Sequence, residues 1–255
     1  MDVIVHPDCL KELVEAAYSD IAPSPGLRPP SPSGRGVGGE GKPIGIVQSK
    51  LLLWPVKDGV QRLNSLGNAL HFLGFGYCNN YGDPVAAHTD MSVRDITYAS
   101  GASCYIKGEV LKKIGLCNPD FFMYHDDVEL CLKAKFAGYR IVLAPKSIMW
   151  HKYEFGRSIL QVYYMERNRL ITMLEFYKLP TLILLTPAFF AMEFCVLFGA
   201  ILGGYVKPKS RSWGYFFHFA SWKKIISERR KIQELRSMSD RKLMENFSGK
   251  ILFQE

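Results

Sequence analysis

The sequence lacks the cysteine spacing on which metal-binding and redox motifs depend. Its six cysteines include no Cys-x-x-Cys pair, and none of them has a histidine at the spacing of a zinc site. This absence excludes a zinc ribbon or a dithiol redox centre as the basis of function. We therefore expect reduced thiols in a cytoplasmic protein, most of them acting as small buried hydrophobic side chains.

Large apolar side chains are scarce in residues 21–43, where 12 of 23 residues are proline or glycine. Such a composition excludes a packed element, because it cannot bury enough apolar surface to offset the entropy lost on ordering. We predict a disordered Pro/Gly-rich insert here. Its removal would join a helix to the following strand by a loop of ordinary length, which favours an inserted genomic repeat over a functional linker.

Charge is nearly absent between Thr181 and Leu202, where Glu193 is the single charged residue in a run of 22. At ~1.5 Å per residue this run matches the thickness of the bilayer hydrocarbon. We predict a transmembrane or re-entrant segment over residues 179–206, because Pro187 and Gly203–Gly204 leave room for a kink. Basic residues flank both sides, so the orientation stays open. The alternative is a buried helix of a large soluble domain.

The net charge of +8 lies mostly in one segment. Between Lys207 and Lys242 there are 11 lysines and arginines against 3 acidic residues, so the rest of the chain is close to neutral. A basic segment beside an apolar run is typical of attraction to anionic lipid headgroups. We predict a basic amphipathic tail over residues 207–255 and a membrane partner rather than nucleic acid, with another polyanion as the open alternative.

Hydrophobic periodicity predicts helices alternating with strands, which is typical of an α/β sheet. Residues 64–95 are rich in glycine, asparagine and aromatic side chains and are predicted to form loops that line a cleft. The predicted helices run from Pro7 to near Asp20, over Glu109–Ile114 and over Val128–Phe136, and the predicted strands are Ile44–Val47, Leu51–Trp54, Ser103–Ile106 and Arg140–Ala144.

Two adjacent carboxylates, Asp126 and Asp127, follow an aromatic loop and begin a predicted helix. At a helix N-terminus the backbone N–H groups and the helix dipole favour an ionised carboxylate, so this position can hold a base. The alternative is helix capping, because aspartate is a common N-cap and Glu129 could serve the first turn as well. Spacing alone favours the cap.

Four motifs occur in a fixed order: Gly101-Ala-Ser, Phe121-Phe-Met-Tyr-His-Asp-Asp-Val-Glu-Leu-Cys-Leu, Ala137-Gly-Tyr-Arg and Trp150-His. Together they resemble family 2 glycosyltransferases of the rhamnosyltransferase-like type, over nearly all of the chain outside residues 21–43. The usual motif of that family is Glu-Asp-Val-Asp-Leu, whose second acid deprotonates the acceptor hydroxyl. The resemblance therefore implies that Asp127 is the catalytic base, with Asp126 in place of the usual Glu and Glu129 in place of the usual Asp.

The resemblance implies an α/β fold of the GT-A type and an inverting transfer of a sugar such as rhamnose. The donor would be a nucleotide-sugar and the acceptor a glycan or a lipid-linked saccharide in the synthesis of cell-surface polysaccharide. A sugar hydroxyl is a poor nucleophile, and a carboxylate that removes its proton during attack on C1 would meet this need. The enzyme would be membrane-associated, with its catalytic part in the cytoplasm.

The resemblance also implies a divalent cation, Mg²⁺ or Mn²⁺, which neutralises the leaving nucleoside diphosphate. Asp2 would match the last acid of the family's Asp-x-Asp-like metal motif, and His151 would match a histidine that completes the site. Without the resemblance, Asp2 is a terminal residue and His151 a histidine at a strand end, and both are more often structural than ligands.

The resemblance divides the chain into the C-terminal part of a glycosyltransferase catalytic domain, residues 1–20 and 44–178, and the two C-terminal segments described above. The family begins with a βαβ half that binds the nucleotide, and we expect the chain to be truncated within that half. Two alternatives follow: an inactive remnant of such an enzyme, and a membrane-associated scaffold without catalysis.

Arg167 and Arg169 flank Asn168 in a part of the sequence for which the resemblance gives no residue-level role. We predict that both arginines lie on a solvated or membrane-facing helix surface. The Asn79-Asn80-Tyr81 segment is likewise left without an assigned role.

Overall fold

The computed structural model describes residues 3–19, 41–153 and 158–250. Asp2 and residues 21–40 of the predicted insert lie outside the described residues. The metal-binding role of Asp2 and the disorder of the insert therefore stay predictions.

Strands and helices alternate through the first part of the described chain, and helices follow one another after residue 158. The strands are β1 (Val3–Val5), β2 (Ile44–Leu53), β3 (Leu63–Ser65), β4 (Asn68–Leu70), β5 (Gly76–Cys78), β6 (Arg94–Asp95), β7 (Cys104–Ile106) and β8 (Arg140–His151). The helices are α1 (Cys9–Tyr18), α2 (Gly108–Ile114), α3 (Asp126–Phe136), α4 (Ile159–Phe176), α5 (Leu179–Leu202), α6 (Val206–Gly214), α7 (Phe219–Glu234) and α8 (Asp240–Met244).

The main sheet is mixed, with β2 and β8 as its parallel centre. The outer edge of β8 is shared by the antiparallel strands β1 and β6, and the outer edge of β2 by β3 and β7. Strands β4 and β5 form a separate hairpin. This curled mixed sheet with helices confirms the predicted α/β class and is consistent with part of a GT-A fold.

Side chains of the two central strands alternate between the two faces of the sheet, as the period of two requires. Ile46 and Ile141 pack on the face covered by α2 and α3, whereas Val47 and Val142 pack on the face covered by α1. The fold therefore has helices on both faces of the sheet. Nine of the ten residues of β2 are buried, as is expected of a strand that is covered on both faces.

The predicted break between two strands at residues 48–50 is wrong, because β2 continues through these residues. Gln48, Ser49 and Lys50 are all buried within the strand. The Gln48 side chain accepts a hydrogen bond from the backbone N–H of Ser100 at 2.8 Å, and the Ser49 hydroxyl lies 2.8 Å from the hydroxyls of Ser103 and of Ser147. Hydrogen-bond partners distant in sequence therefore satisfy these polar side chains, which interrupt the apolar run of the strand.

Helix α5 packs on the rest of the protein along one narrow side. Leu182, Leu185, Phe189 and Met192 contact the main core, while most of the other apolar side chains of the helix are exposed. Its most apolar window has a mean hydropathy of 2.0 with 6% of that window buried, and by length and composition the helix could cross a membrane. This low burial contradicts the alternative of a buried core helix.

Candidate active site

Asp127 lies at the start of α3 and faces the loop that precedes β7. Its Oδ2 accepts a hydrogen bond from the backbone N–H of Gly101 at 3.1 Å, and its Oδ1 accepts one from the N–H of Val128 at 2.8 Å. The cap position of the helix is occupied by His125, in a left-handed conformation with φ of 64°. The two aspartates are therefore the first residues of the helix and not its N-cap, so the capping interpretation is wrong.

Two of the predicted motifs meet at this point. The loop that contains Gly101 is fixed to the edge of β2, because the N–H of Ser100 donates to Gln48. A Cβ atom built at Gly101 would lie 3.7 Å from the Cβ of Asp127, an ordinary contact. The sheet edge thus sets the position of the Gly101 N–H, and that N–H in turn orients the Asp127 carboxylate.

The environment of Asp127 favours its protonated form. Burial and, after it, the charge of Asp126 raise the pKa of this half-buried carboxyl from 3.8 to about 6, against backbone hydrogen bonds that lower it. Cys78, Cys104 and Tyr98 are close enough to interact electrostatically with the carboxylate. A carboxylate with a pKa near 6 is mostly ionised at neutral pH and is a stronger base than an exposed aspartate.

The third acid of the motif, Glu129, stabilises the structure of the loop. Glu129 is fully buried, accepts a hydrogen bond from the N–H of Asn118 at 2.9 Å and forms an ion pair with Lys133 at 3.1 Å. Burial raises its pKa, and the Lys133 charge opposes that rise. Burial also lowers the pKa of His125 to about 4, so this side chain is neutral at pH 7. Of these groups, Asp127 combines a half-exposed position with a raised basicity.

The prediction that Arg167 and Arg169 lie on a solvated or membrane-facing surface is wrong. Both are buried in α4, with exposed fractions of 6% and 1%, and Asn168 between them is fully buried. Arg167 donates to the backbone carbonyl of Asp120, and Arg169 donates to that of Leu73 at 3.0 Å. The sequence predicts a surface position for both side chains because the backbone carbonyls that accept their hydrogen bonds are remote in sequence.

Asn168 is a residue that the sequence analysis left without a role. Its amide donates to backbone carbonyls of the loop before the acid pair. Asparagine is unfavourable inside a helix, because it competes for backbone hydrogen bonds. Its position in the interior of α4 was the available signal of a tertiary function.

His151, the second predicted site residue, is the last residue of β8. It pairs with Val3 on one side and with Leu53 on the other, and its Nδ1 lies 3.0 Å from the side-chain oxygen of Asn64. Its ring centroid is 5.6 Å from that of Tyr153. Tyr98 is within electrostatic range of both Tyr153 and Asp127. These contacts fix the His151 ring at the end of β8, and its role in a metal site stays a prediction.

The described residues do not form a metal site. Within residues 3–19, 41–153 and 158–250, no group of three or more His, Cys, Asp or Glu side chains could hold a cation. The buried side-chain nitrogen of Asn64, next to His151, has no hydrogen-bond partner. An amide nitrogen donates hydrogen bonds, so it suits an anionic oxygen and not a cation.

Two surface hollows lie away from the acid pair. One of about 60 Å³ is lined by Asp95 and Lys135 among others, and one of about 200 Å³ by Glu12 and Met91 among others. Neither is bordered by Asp127. The candidate site consequently rests on its hydrogen bonds and its electrostatics and not on the shape of a cavity.

A protein-family model matches part of the chain. Residues 54–172 match the family described as glycosyltransferase like family 2. No curated protein gives a significant match to the chain. The matched range contains the Gly101 loop, the acid pair, His151 and the buried Arg167-Asn168-Arg169 segment.

Proposed function

We propose that the protein transfers a sugar from a nucleotide-sugar donor to an acceptor hydroxyl with inversion at C1. This proposal rests on the match of residues 54–172 to the glycosyltransferase like family 2. The observation that carries this proposal is the Asp127 carboxylate, oriented by the N–H groups of Gly101 and Val128 and with its pKa raised by burial to about 6. The charge of Asp126 is the second cause of that raised pKa, after burial.

The reaction proceeds in one displacement. The Asp127 carboxylate takes the proton of the acceptor hydroxyl while the hydroxyl oxygen forms a bond to C1 of the donor sugar. The bond from C1 to the diphosphate oxygen breaks, and the nucleoside diphosphate leaves with the electron pair. Attack from the face opposite to the leaving group inverts C1, so a single carboxylate base suffices.

Family 2 enzymes generally use a divalent cation, which supplies neutralisation of the leaving diphosphate when bound. Asp2 and His151 as ligands of Mg²⁺ or Mn²⁺ stay a prediction.

The finer assignments extend this proposal. Residues 1–20 and 44–178 would form the catalytic part, on the cytoplasmic face, with a sugar such as rhamnose as the transferred group. The acceptor would be a glycan or a lipid-linked saccharide used for cell-surface polysaccharide. The apolar residues 179–206 and the basic residues 207–255 support attachment to a membrane.

Flotation with vesicles of phosphatidylglycerol and phosphatidylcholine tests the attachment, and a protein that stays at the bottom of the gradient contradicts it.

The decisive experiment replaces Asp127 by Asn. Release of nucleoside diphosphate from dTDP-rhamnose and UDP-glucose, with Mn²⁺ and a panel of saccharide acceptors, measures turnover. We expect Asp127→Asn to lower kcat by about 10²–10⁴-fold, because the general base is lost. Asp90→Asn is the matched control, since the Asp90 side chain is 65% exposed and remote from these contacts.

The results separate the proposal from its alternatives. Turnover retained in Asp127→Asn would refute the assignment of the base. Wild-type protein that binds neither donor in isothermal titration would favour an inactive remnant. A scaffold without catalysis would show no turnover at all, and its membrane binding would be unchanged when both aspartates are replaced.

A further inference from the structure

The loop of residues 120–125, which directly precedes the acid pair, has an unusual backbone. Phe122, Tyr124 and His125 have positive φ angles of 59°, 61° and 64°. Bulky side chains rarely adopt this left-handed conformation, because Cβ approaches the following carbonyl oxygen. Three such residues among six persist only where surrounding groups fix them, and such strain tends to concentrate at functional sites.

The side chain of Asn168 supplies that fixation. Its Nδ2 lies 2.9, 2.8 and 2.9 Å from the backbone carbonyl oxygens of Phe121, Met123 and Tyr124. Its Oδ1 accepts a hydrogen bond from Nε of Arg167 at 2.9 Å. Because the oxygen is held by Arg167, the two N–H bonds of the amide must point at the three carbonyls of the loop.

Two neighbouring residues of α4 also contact the loop of residues 120–125. The guanidinium of Arg167 donates to the carbonyl of Asp120 at the start of the loop and stacks on the ring of Tyr164, 4.7 Å from its centroid. The Thr172 hydroxyl lies 3.5 Å from Nδ1 of His125 at the end of the loop. Helix α4 therefore contacts the loop at its first residue, in its middle and at its last residue.

The loop is connected directly to the helix that carries Asp127. The carbonyl of His125 accepts the hydrogen bond of the Glu129 N–H at 2.8 Å, so the last residue of the loop forms part of the first turn of α3. A change in the path of the loop would rotate or displace that first turn. Asp127 lies in this turn, and a displacement would move its carboxylate away from Gly101.

We propose that Asn168 is a positioning residue for glycosyl transfer, whose amide holds residues 120–125 in the conformation that directs the Asp127 carboxylate into the site. This inference rests on the function proposed above. Asn168 does not touch the reacting atoms. It acts through the loop and the first turn of α3.

Two substitutions separate hydrogen-bond donation from packing. Asn168→Asp keeps the volume but replaces the donor by a carboxylate oxygen that faces three carbonyl oxygens, and Asn168→Ala removes the group altogether. If donation matters, the aspartate variant is the more damaged of the two. If only volume matters, the alanine variant is the more damaged.

Turnover and hydrogen exchange are measured on the full chain in detergent. We expect kcat to fall about tenfold in Asn168→Ala and about 100-fold in Asn168→Asp, with the KM for dTDP-rhamnose or UDP-glucose changed less than about threefold, because misplacement of a catalytic group affects the chemical step. Amide exchange should accelerate in residues 120–128, while β2 and β8 keep their protection.

The matched control lies on the same helix. Gln161 forms a capping box with Ser158 at the exposed start of α4, through hydrogen bonds of 2.8 and 3.2 Å. Gln161→Ala weakens the helix without touching the loop, so it should leave kcat and the exchange of residues 120–128 unchanged.

Three results would overturn the inference. These are a kcat within threefold of wild type in Asn168→Asp, a loop whose exchange does not change, and exchange that accelerates equally in β2 and β8, which would assign Asn168 to global stability. Turnover retained in Asp127→Asn would refute the proposed function instead, and the exchange measurement would still decide whether Asn168 holds the loop.

Discussion

Replacing Asp127 by Asn tests the electrostatics of the site independently of any substrate. Burial and the charge of Asp126 raise the pKa of this carboxyl from 3.8 to about 6, so its ionised form is less stable in the folded protein than in water. One pKa unit corresponds to about 1.4 kcal/mol, and the ionised carboxylate therefore lowers the free energy of unfolding at pH 7 by about 3 kcal/mol. Asn keeps the shape of the side chain and removes the charge.

A second effect opposes this gain. Asp127 accepts hydrogen bonds from two backbone N–H groups, those of Gly101 and Val128. An Asn side chain has one acceptor oxygen, so one of these N–H groups loses its partner, at a cost of about 1–3 kcal/mol. The net change at pH 7 is therefore a gain smaller than about 3 kcal/mol, and its size alone does not distinguish the two effects.

The pH dependence does distinguish them. Between pH 3.8 and about 6 the folded wild-type protein binds more protons at Asp127 than the unfolded chain does, so the stability of the wild type falls as pH rises through this window. The lost hydrogen bond in the variant does not depend on pH. The advantage of Asp127→Asn over wild type should therefore grow by about 2 kcal/mol from pH 4 to pH 7.

Urea unfolding in detergent at pH 4, 5, 6 and 7 measures this difference, with Asp90→Asn as the control for general loss of a carboxylate. The expected result is a variant that has lost its activity and gained stability relative to wild type as the pH rises. A difference that is constant between pH 4 and 7, or that shrinks as pH rises, would refute the electrostatic description of Asp127.

Two further predictions follow from single contacts. Asp126→Asn should lower the pKa of Asp127, because the charge of Asp126 raises it. The acid limb of the pH–kcat/KM profile should then move to lower pH, and an unchanged midpoint would contradict this coupling. Glu193→Gln leaves Arg169 and Lys209 with Glu166 as their remaining acidic partner and should cost about 3–5 kcal/mol of stability. Thermal unfolding in detergent measures the second effect. Phe194→Leu, at a 72% exposed position of the same helix, is its control, and equal melting temperatures for the two variants would contradict the prediction.

The part of the site that the sequence predicts well is the part set by neighbouring residues. The start of α3 at Asp126 follows from an aromatic loop, two acids and a regular apolar spacing within a dozen positions. The contact between Gly101 and Asp127 joins residues 26 positions apart and could be expected only through the resemblance to a family. Local patterns thus located the start of the helix, whereas the assignment of Asp127 as the base came from the resemblance, and its two N–H donors and raised pKa required the fold.

The sequence does not identify the hydrogen-bond partner of each buried polar group. Gln48 and Lys50 interrupt an apolar run and so predict a break between strands, yet both are buried in β2. A surface position is predicted for Arg167 because the backbone carbonyl that accepts its hydrogen bond lies outside its own helix. Its acceptor, the carbonyl of Asp120, lies 47 residues earlier. Burial of a charge is decided by such remote acceptors, and no periodicity of the sequence encodes them.

The single charge of α5 shows how such a partner fixes the position of an apolar helix. Glu193 is 3% exposed and binds Arg169 of α4, Lys209 of α6 at 2.7 Å and the indole nitrogen of Trp213 at 3.1 Å. With Glu166 the cluster has two carboxylates and two cations, so the buried charges balance.

A balanced cluster of this kind is costly to take apart in an apolar medium, because each separated ion would be left without its partner. Glu193 therefore marks the side of α5 that must stay against the protein. At 100° per residue the opposite side carries Leu184 and Leu202, which are 78% and 74% exposed. A membrane attached to this helix would contact it on that side, and the part of the protein bound through Glu193 would remain next to the lipid surface.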